Sequence, residues 1–171
     1  MRFDAFMERA LYGPGGFFAS GHGAGRRGDF LTSPEVGPLF GAVVARAVDA
    51  EWARLDRPQT FTVVEVGAGR GALARAVLAA RPACADALRY VCVERSAVLR
   101  RQAADVAGVT VAEDLPSRIT GMVLANELLD NLAFRLLERR DEGWAEVFVE
   151  PADGSEPREV LLAAGPDAAD L

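Results

Sequence analysis

The sequence predicts an α/β fold in which a mostly parallel sheet carries helices on both faces. Three observations lead there. Short apolar, β-branched runs alternate with stretches of helical period. The run Gly67-Ala68-Gly69-Arg70-Gly71 joins one such strand to the helix after it. An acid, Glu94, ends the next strand roughly 20 residues further on, the arrangement of a Rossmann-like unit.

Each element has its own signal. Phe3, Phe6, Met7, Ala10 and Leu11 recur at helical spacing and predict a short amphipathic helix over residues 3–11, ended by Gly13-Pro14-Gly15-Gly16. The glycines that follow, Gly21, Gly23, Gly25 and Gly28, have no period and suggest a flexible or ligand-covering loop. Ser33-Pro34 offers an N-cap hydroxyl before a proline at the first helical position. Val36, Leu39, Phe40, Val43, Val44, Ala47, Val48 and Trp52 then follow at helical spacing, so a long helix should end near Leu55.

Residues 61–66 form the first strand, and the helical pattern through Leu73, Val77 and Leu78 stops at Arg81-Pro82. Residues 88–94 make a second, buried strand, followed by a helix from about Ser96 to Val106. Short strands are expected at residues 109–111 and 121–126, with one or two more from residues 134–137 and 144–149. The chain then divides into a helical and loop segment covering the cofactor site over residues 1–58, a Rossmann-like core over 59–150, and a polar tail over 151–171 too alanine-rich to assign.

Composition narrows the chemistry. The 171 residues carry 19 basic and 25 acidic groups, a net charge of −6, and half are hydrophobic, which fits a single folded domain. A net negative chain lacks the clustered positive charge that nucleic acid or an anionic membrane requires. Every basic residue is arginine, so neither a Schiff-base lysine nor a P-loop lysine is available. His22 is the single histidine, and the two cysteines, Cys84 and Cys92, have no metal-ligand spacing, so no metal site is expected. With no secretion signal and no apolar span, the expected location is the cytoplasm.

The glycine turn and the distal acid point to an adenosine-containing cofactor. Gly67-Ala68-Gly69-Arg70-Gly71-Ala72 satisfies the patterns of both nicotinamide and S-adenosylmethionine sites, with Glu94 placed to grip a ribose hydroxyl pair in either. Glu65 separates the two. A carboxylate inside Val63-Val64-Glu65-Val66 is costly unless a cation or strong donors meet it. The aminoacyl end of S-adenosylmethionine would bring positive charge to this neighbourhood, and an ion pair with Arg70 or Arg95 is the alternative.

Several separated motifs, in the same order, resemble the MidA-like family, bacterial relatives of a mitochondrial complex I assembly-factor protein-arginine methyltransferase. They are Phe6-Met7 with Ala10-Leu11-Tyr12, then Gly28-Asp29-Phe30-Leu31-Thr32-Ser33-Pro34-Glu35-Val36, then Glu65 to Gly71, Glu94-Arg95-Ser96, and Ala125-Asn126-Glu127-Leu128-Leu129-Asp130. The resemblance implies a class I S-adenosylmethionine-dependent methyltransferase fold, C-terminally shortened here. It implies that Glu65, Gly67, Ala68 and Gly69 face the methionine part, Glu94 the ribose, and Asp114 with Leu115 the adenine. Asn126 and Glu127 would stand at the transfer face, while Thr32 and Ser33 close over the cofactor.

The implied acceptor is a protein arginine. For such a planar fork, Glu127 and Asp130 are the candidate catalytic carboxylates that would orient it. Against these roles, Asp130 also fits a helix cap, Glu127 a solvated acid and Ser33 a cap for its own helix. The sequence departs from the family at Ala133, where a proline is usual, and at Phe17 and Phe18, where tyrosines are usual. Family members are also longer, so a substrate cleft completed by dimerisation is one expectation. A non-catalytic cofactor-binding or assembly module is a second reading, and a nicotinamide-dependent oxidoreductase a third.

Overall fold

The structure, a computed structural model, describes residues 1–20, 36–141, 143–150 and 156–165. Thr32 and Ser33, His22, and the expected Ser33-Pro34 helix start lie outside the described residues. The chain divides into two units, one of Phe17–Leu128 and one of Met1–Gly16 with Leu129–Leu171.

The larger unit holds α2 (Pro38–Arg54), β1 (Phe61–Val66), α3 (Ala72–Ala79), β2 (Leu88–Val93), α4 (Ala97–Ala103), β3 (Val109–Ala112) and β4 (Gly121–Ala125). The four strands pair in parallel in the order β3-β2-β1-β4. The order follows from the connections: a helix returns the chain from β1 to β2 and again from β2 to β3, and the chain then crosses to the other side of β1. Gly37 and Pro38 start α2, the proline sitting where a helix has no use for its missing N–H.

Alternation along the strands decides what is buried. Phe61 and Val63 of β1 join Leu88, Tyr90 and Cys92 of β2 in one apolar cluster with Ala45 and Val48 of α2, Leu73, Ala74 and Val77 of α3 and Ala103 of α4. The expected boundary near residue 58 therefore does not divide this core, because α2 packs into it. Gly41 lets α2 approach α3 to backbone contact at Ala76, where any Cβ would collide. The helices that join this cluster share one face. The link from β3 to β4, which would carry a helix to the other face, has none, and Val123 there is exposed.

The smaller unit contains α1 (Phe3–Tyr12), a 3₁₀ turn (Leu129–Asn131), β5 (Leu137–Arg140), β6 (Gly143–Glu150) and β7 (Arg158–Ala163). Its strands form a separate antiparallel sheet in the order β5-β6-β7. The strands expected near residues 134–137 and 144–149 thus do not extend the parallel sheet: the link between β5 and β6 is far too short for a parallel crossover. Residues 151–171, read as a tail, contain β7. The Arg135 guanidinium donates to both oxygens of the buried Glu146 carboxylate at 2.7 and 2.9 Å. Tyr12 Oη donates to the Asn131 carbonyl at 2.9 Å.

Candidate functional site

Parallel register brings the candidate residues to one edge. Val66 pairs with Val93 and with Ala125, and Val93 pairs with Ala112, so these strands stop at the same level. Gly67, Glu94, Glu113 and Asn126 are the next residues of each, at the C-terminal edge where open α/β sheets bind ligands.

The turn after β1 requires its glycines. Gly67, Gly69 and Gly71 adopt φ of +70°, +56° and +74°, and the Gly67 N–H donates to the Val93 carbonyl at 2.9 Å. A Cβ on Gly67 would lie 2.8 Å from Leu128 Cδ1, and one on Gly71 would lie 2.9 Å from Val106 Cγ2. Among the described residues a Cβ on Gly69 would meet nothing within 4 Å, so toward them the turn is open at that residue. Ala68 is buried beneath it.

Glu94 ties this turn to its own strand. Oε2 accepts the Gly69 N–H at 2.8 Å and Oε1 accepts the Ser96 N–H at 2.7 Å. Each carboxylate oxygen keeps a further lone pair, so both can still accept from a hydroxyl. Ser96, a residue sequence reasoning assigned no role beyond starting a helix, caps α4 through its hydroxyl, which accepts from Leu99 and donates to the Phe18 carbonyl at 2.8 Å. Arg100 adds a second tie, donating to the Glu94 carbonyl at 2.6 Å and to Glu113 at 2.9 Å. It thereby joins the turn after β2 to the turn after β3 where exposed Asp114 and Leu115 stand.

Glu65 is turned away from that edge. It lies on the helix-covered face, 4% exposed, where Tyr90 Oη donates to Oε2 at 2.8 Å. The donor that meets it is thus a phenol. Burial pushes its pKa up to about 7, against the opposing pull of the Tyr90 hydrogen bond. Burial, with Glu65 nearby, also raises the Tyr90 phenol and pushes Cys92 up to about 12.

Asn126 is half-buried directly after β4, and Glu127 is exposed with φ +52°, a conformation an unbranched L-residue adopts only under local constraint. Asp130 belongs to the smaller unit, in the 3₁₀ turn, so the two proposed acceptor carboxylates fall in different units.

Comparison with known proteins adds to this geometry. Residues 43–170 match the model of a family described as S-adenosyl-L-methionine-dependent methyltransferase. The chain is 30% identical to the mitochondrial protein arginine methyltransferase NDUFAF7 homolog of Drosophila melanogaster over 88% of its own length and 42% of that protein's. It is 27% identical to mitochondrial protein arginine methyltransferase NDUFAF7 of Mus musculus over 85% and 41%. Among solved structures, an uncharacterized protein from Burkholderia thailandensis superposes with a TM-score of 0.80 at 33% identity, covering 99% of this chain and 46% of that one. A second protein from the same organism, whose crystal structure holds S-adenosyl-homocysteine, gives 0.76 at 32% identity, covering 99% and 48%. The chain spans less than half the length of each of these relatives. With a family model matched over most of its residues, and the parallel sheet and glycine turn that such a fold needs, the chain belongs to the S-adenosyl-L-methionine-dependent methyltransferase family.

Proposed function

We propose that this chain binds S-adenosyl-L-methionine at the C-terminal edge of its parallel sheet and acts in methyl transfer to a protein arginine. The observation that carries the reading is the Glu94 carboxylate, held between the Gly69 and Ser96 amides beside a glycine that is open toward the described residues. Those residues fit the group: a fixed carboxylate with spare lone pairs suits a ribose diol, and an open glycine lets a ligand approach the backbone.

In this reading Gly67, Ala68 and Gly69 line the methionine part, Glu94 holds the ribose, and Asp114 with Leu115 bounds the adenine. Bound there, the cofactor supplies a methyl group on a positively charged sulfur. The work left to the chain is alignment, which can account for much of the acceleration of an in-line displacement. Asn126 and Glu127 stand at the transfer face, and Glu127 is the carboxylate for a guanidinium. Thr32 and Ser33 lie outside the described residues. The arginine acceptor is supported by the names of the curated relatives and by the acid available at the transfer face. The homodimer stays a proposal of the same kind.

Calorimetric titration of the purified chain with S-adenosylmethionine, S-adenosylhomocysteine and NAD, repeated with Glu94→Ala, tests the site. Tight binding of the two sulfur compounds that is lost in Glu94→Ala supports it. Binding of NAD alone, or of none of the three by a folded chain, would sink it. Turnover in the presence of an arginine-containing acceptor then separates an enzyme from a binding module, and Glu127→Gln should abolish that turnover while leaving cofactor affinity unchanged.

A further inference from the structure

The hydroxyl of Ser96 makes a better bond outside its helix than within it. As the N-cap of α4 it accepts the Leu99 N–H at 3.4 Å, a long hydrogen bond. The same Oγ donates to the Phe18 carbonyl at 2.8 Å, the preferred length for a hydroxyl donor. Phe18 lies 78 residues earlier in the chain, in the turn of residues 17–20. Ser96 is 7% exposed, so little water can replace either partner. A helix cap alone needs no such donor, since an aspartate caps as well as a serine.

The backbone of Ser96 faces the candidate site. Its N–H donates to Glu94 Oε1 at 2.7 Å, and Glu94 Oε2 accepts the Gly69 N–H at 2.8 Å. Arg100 holds the residues between, donating from one nitrogen to the Glu94 carbonyl at 2.6 Å and to the Arg95 carbonyl at 3.1 Å. The stretch from Glu94 to Ser96 is thus fixed through side chain and backbone alike, and the 17–20 turn hangs on it by one oxygen. That turn has supports of its own. Ser20 Oγ donates to the Phe17 carbonyl at 3.0 Å, and the half-buried rings of Phe17 and Phe18 meet edge to face with centroids 5.0 Å apart.

We propose that Ser96 is a positioning residue of the ligand site: its hydroxyl docks the turn of residues 17–20 beside the Glu94 carboxylate, making that turn a preformed wall for the adenosyl end of the ligand. The ligand consequence rests on reading Glu94 and the glycine turn as the cofactor cradle. A wall already in place need not be ordered during binding, so loss of the tie weakens affinity while the carboxylate keeps its own contacts.

Three substitutions separate the tie from the cap. Ser96→Thr keeps the hydroxyl and both of its bonds. Ser96→Asp keeps an acceptor for Leu99 but has no proton to give a carbonyl. Ser96→Gly loses the side chain without adding charge, and glycine at an N-cap costs a helix little.

The test follows the Phe18 carbonyl directly. Phe18-Ala19 is the one Phe-Ala pair in the sequence, so a chain labelled with ¹³C-carbonyl phenylalanine and ¹⁵N-alanine gives a single cross-peak joining that carbonyl to the Ala19 amide. Spectra and S-adenosylhomocysteine calorimetry are recorded on the wild type and the three variants. The Phe18 carbonyl should move upfield, the direction of a lost hydrogen bond, in Ser96→Asp and Ser96→Gly, and stay in place in Ser96→Thr. Affinity should fall about three- to tenfold in the first two, the scale of one neutral hydrogen bond, and return in Ser96→Thr. A serine acting only as a cap predicts wild-type affinity in all three.

A Phe18 carbonyl that stays in place in Ser96→Asp and Ser96→Gly overturns the tie. A moved carbonyl with wild-type affinity in Ser96→Gly overturns the positioning role, since a loss confined to Ser96→Asp reports only the added charge. Affinity lost in Ser96→Thr with its carbonyl in place overturns it too. In each of these cases the wild type still binds and the cradle stands. A folded wild type that binds no S-adenosylhomocysteine refutes the cradle itself, and the positioning role falls with it. Should Ser96→Asp not fold, Ser96→Gly decides: a moved carbonyl with weakened affinity supports the proposal, and retained affinity overturns it.

Discussion

Glu94 Oε2 accepts the Gly69 N–H at 2.8 Å, so an acid leaving β2 holds the turn that leaves β1. Glu94→Ala should therefore act twice. Two backbone amides lose their acceptor, which should lower stability by about 2 kcal/mol in urea denaturation. Affinity for S-adenosylhomocysteine should fall at least about tenfold, the scale of a lost hydrogen bond to a charged group. Glu94→Gln, which keeps one acceptor oxygen, should fall between the two.

The three turn glycines should separate fold from ligand. Gly71→Ala brings a Cβ to 2.9 Å from Val106 and should chiefly destabilise, whereas Gly69→Ala fills open space. At Gly69 the left-handed backbone costs about 1 kcal/mol in an alanine, so melting should change little while ligand binding is lost. Equal ligand affinity in Gly69→Ala and the wild type would contradict the cradle.

Glu127 stands at φ +52°, and relief of that strain should be measurable. Glu127→Gly should raise stability by roughly 1 kcal/mol while removing the carboxylate from the transfer face. A variant that is more stable yet inactive would show that the residue at 127 is kept for activity at a cost in stability.

The Arg135 and Glu146 pair should dominate stability in the smaller unit. Arg135→Met strands a buried carboxylate and should cost about 3 kcal/mol in denaturant unfolding, whereas Arg135→Met with Glu146→Leu should recover most of that loss.

Stability should also vary with pH through Glu65. Its folded pKa, raised from 4.5 to about 7, means the folded chain keeps a proton that the unfolded chain has released. Stability from this group therefore falls as pH rises from about 4.5 to about 7, by a few kcal/mol at most. Unfolding of Glu65→Gln should lack this slope when compared with the wild type in denaturant at pH 5 and pH 8.

Much of the parallel half was legible in sequence, because its signals are local. A β-branched run, a glycine turn and an acid locate β1, α3 and Glu94 without knowledge of distant residues. The antiparallel unit was less legible. Arg158–Ala163 is largely exposed on both sides and shows no alternation, and its strand character comes from pairing Ala145 with Ala163, a register no local window contains. Within the site, Glu94 was readable but its donors were not, because backbone amides carry no letter of their own. Tyr90 was hidden for another reason: an aromatic in a buried strand reads as packing, and only the three-dimensional face shows its hydroxyl on Glu65.

The contact of Gly41 with Ala76 has a mechanical consequence. Where two helices meet with only an alanine methyl between their backbones, sliding of one against the other is resisted, since packed interiors do not deform continuously. α2 and α3 are therefore one rigid lever. Its one end is the glycine turn and its other is the first turn of α2, where Gly41 and Pro38 lie, so a displacement at the glycine turn passes through α3 to the start of α2 and is not absorbed between the helices.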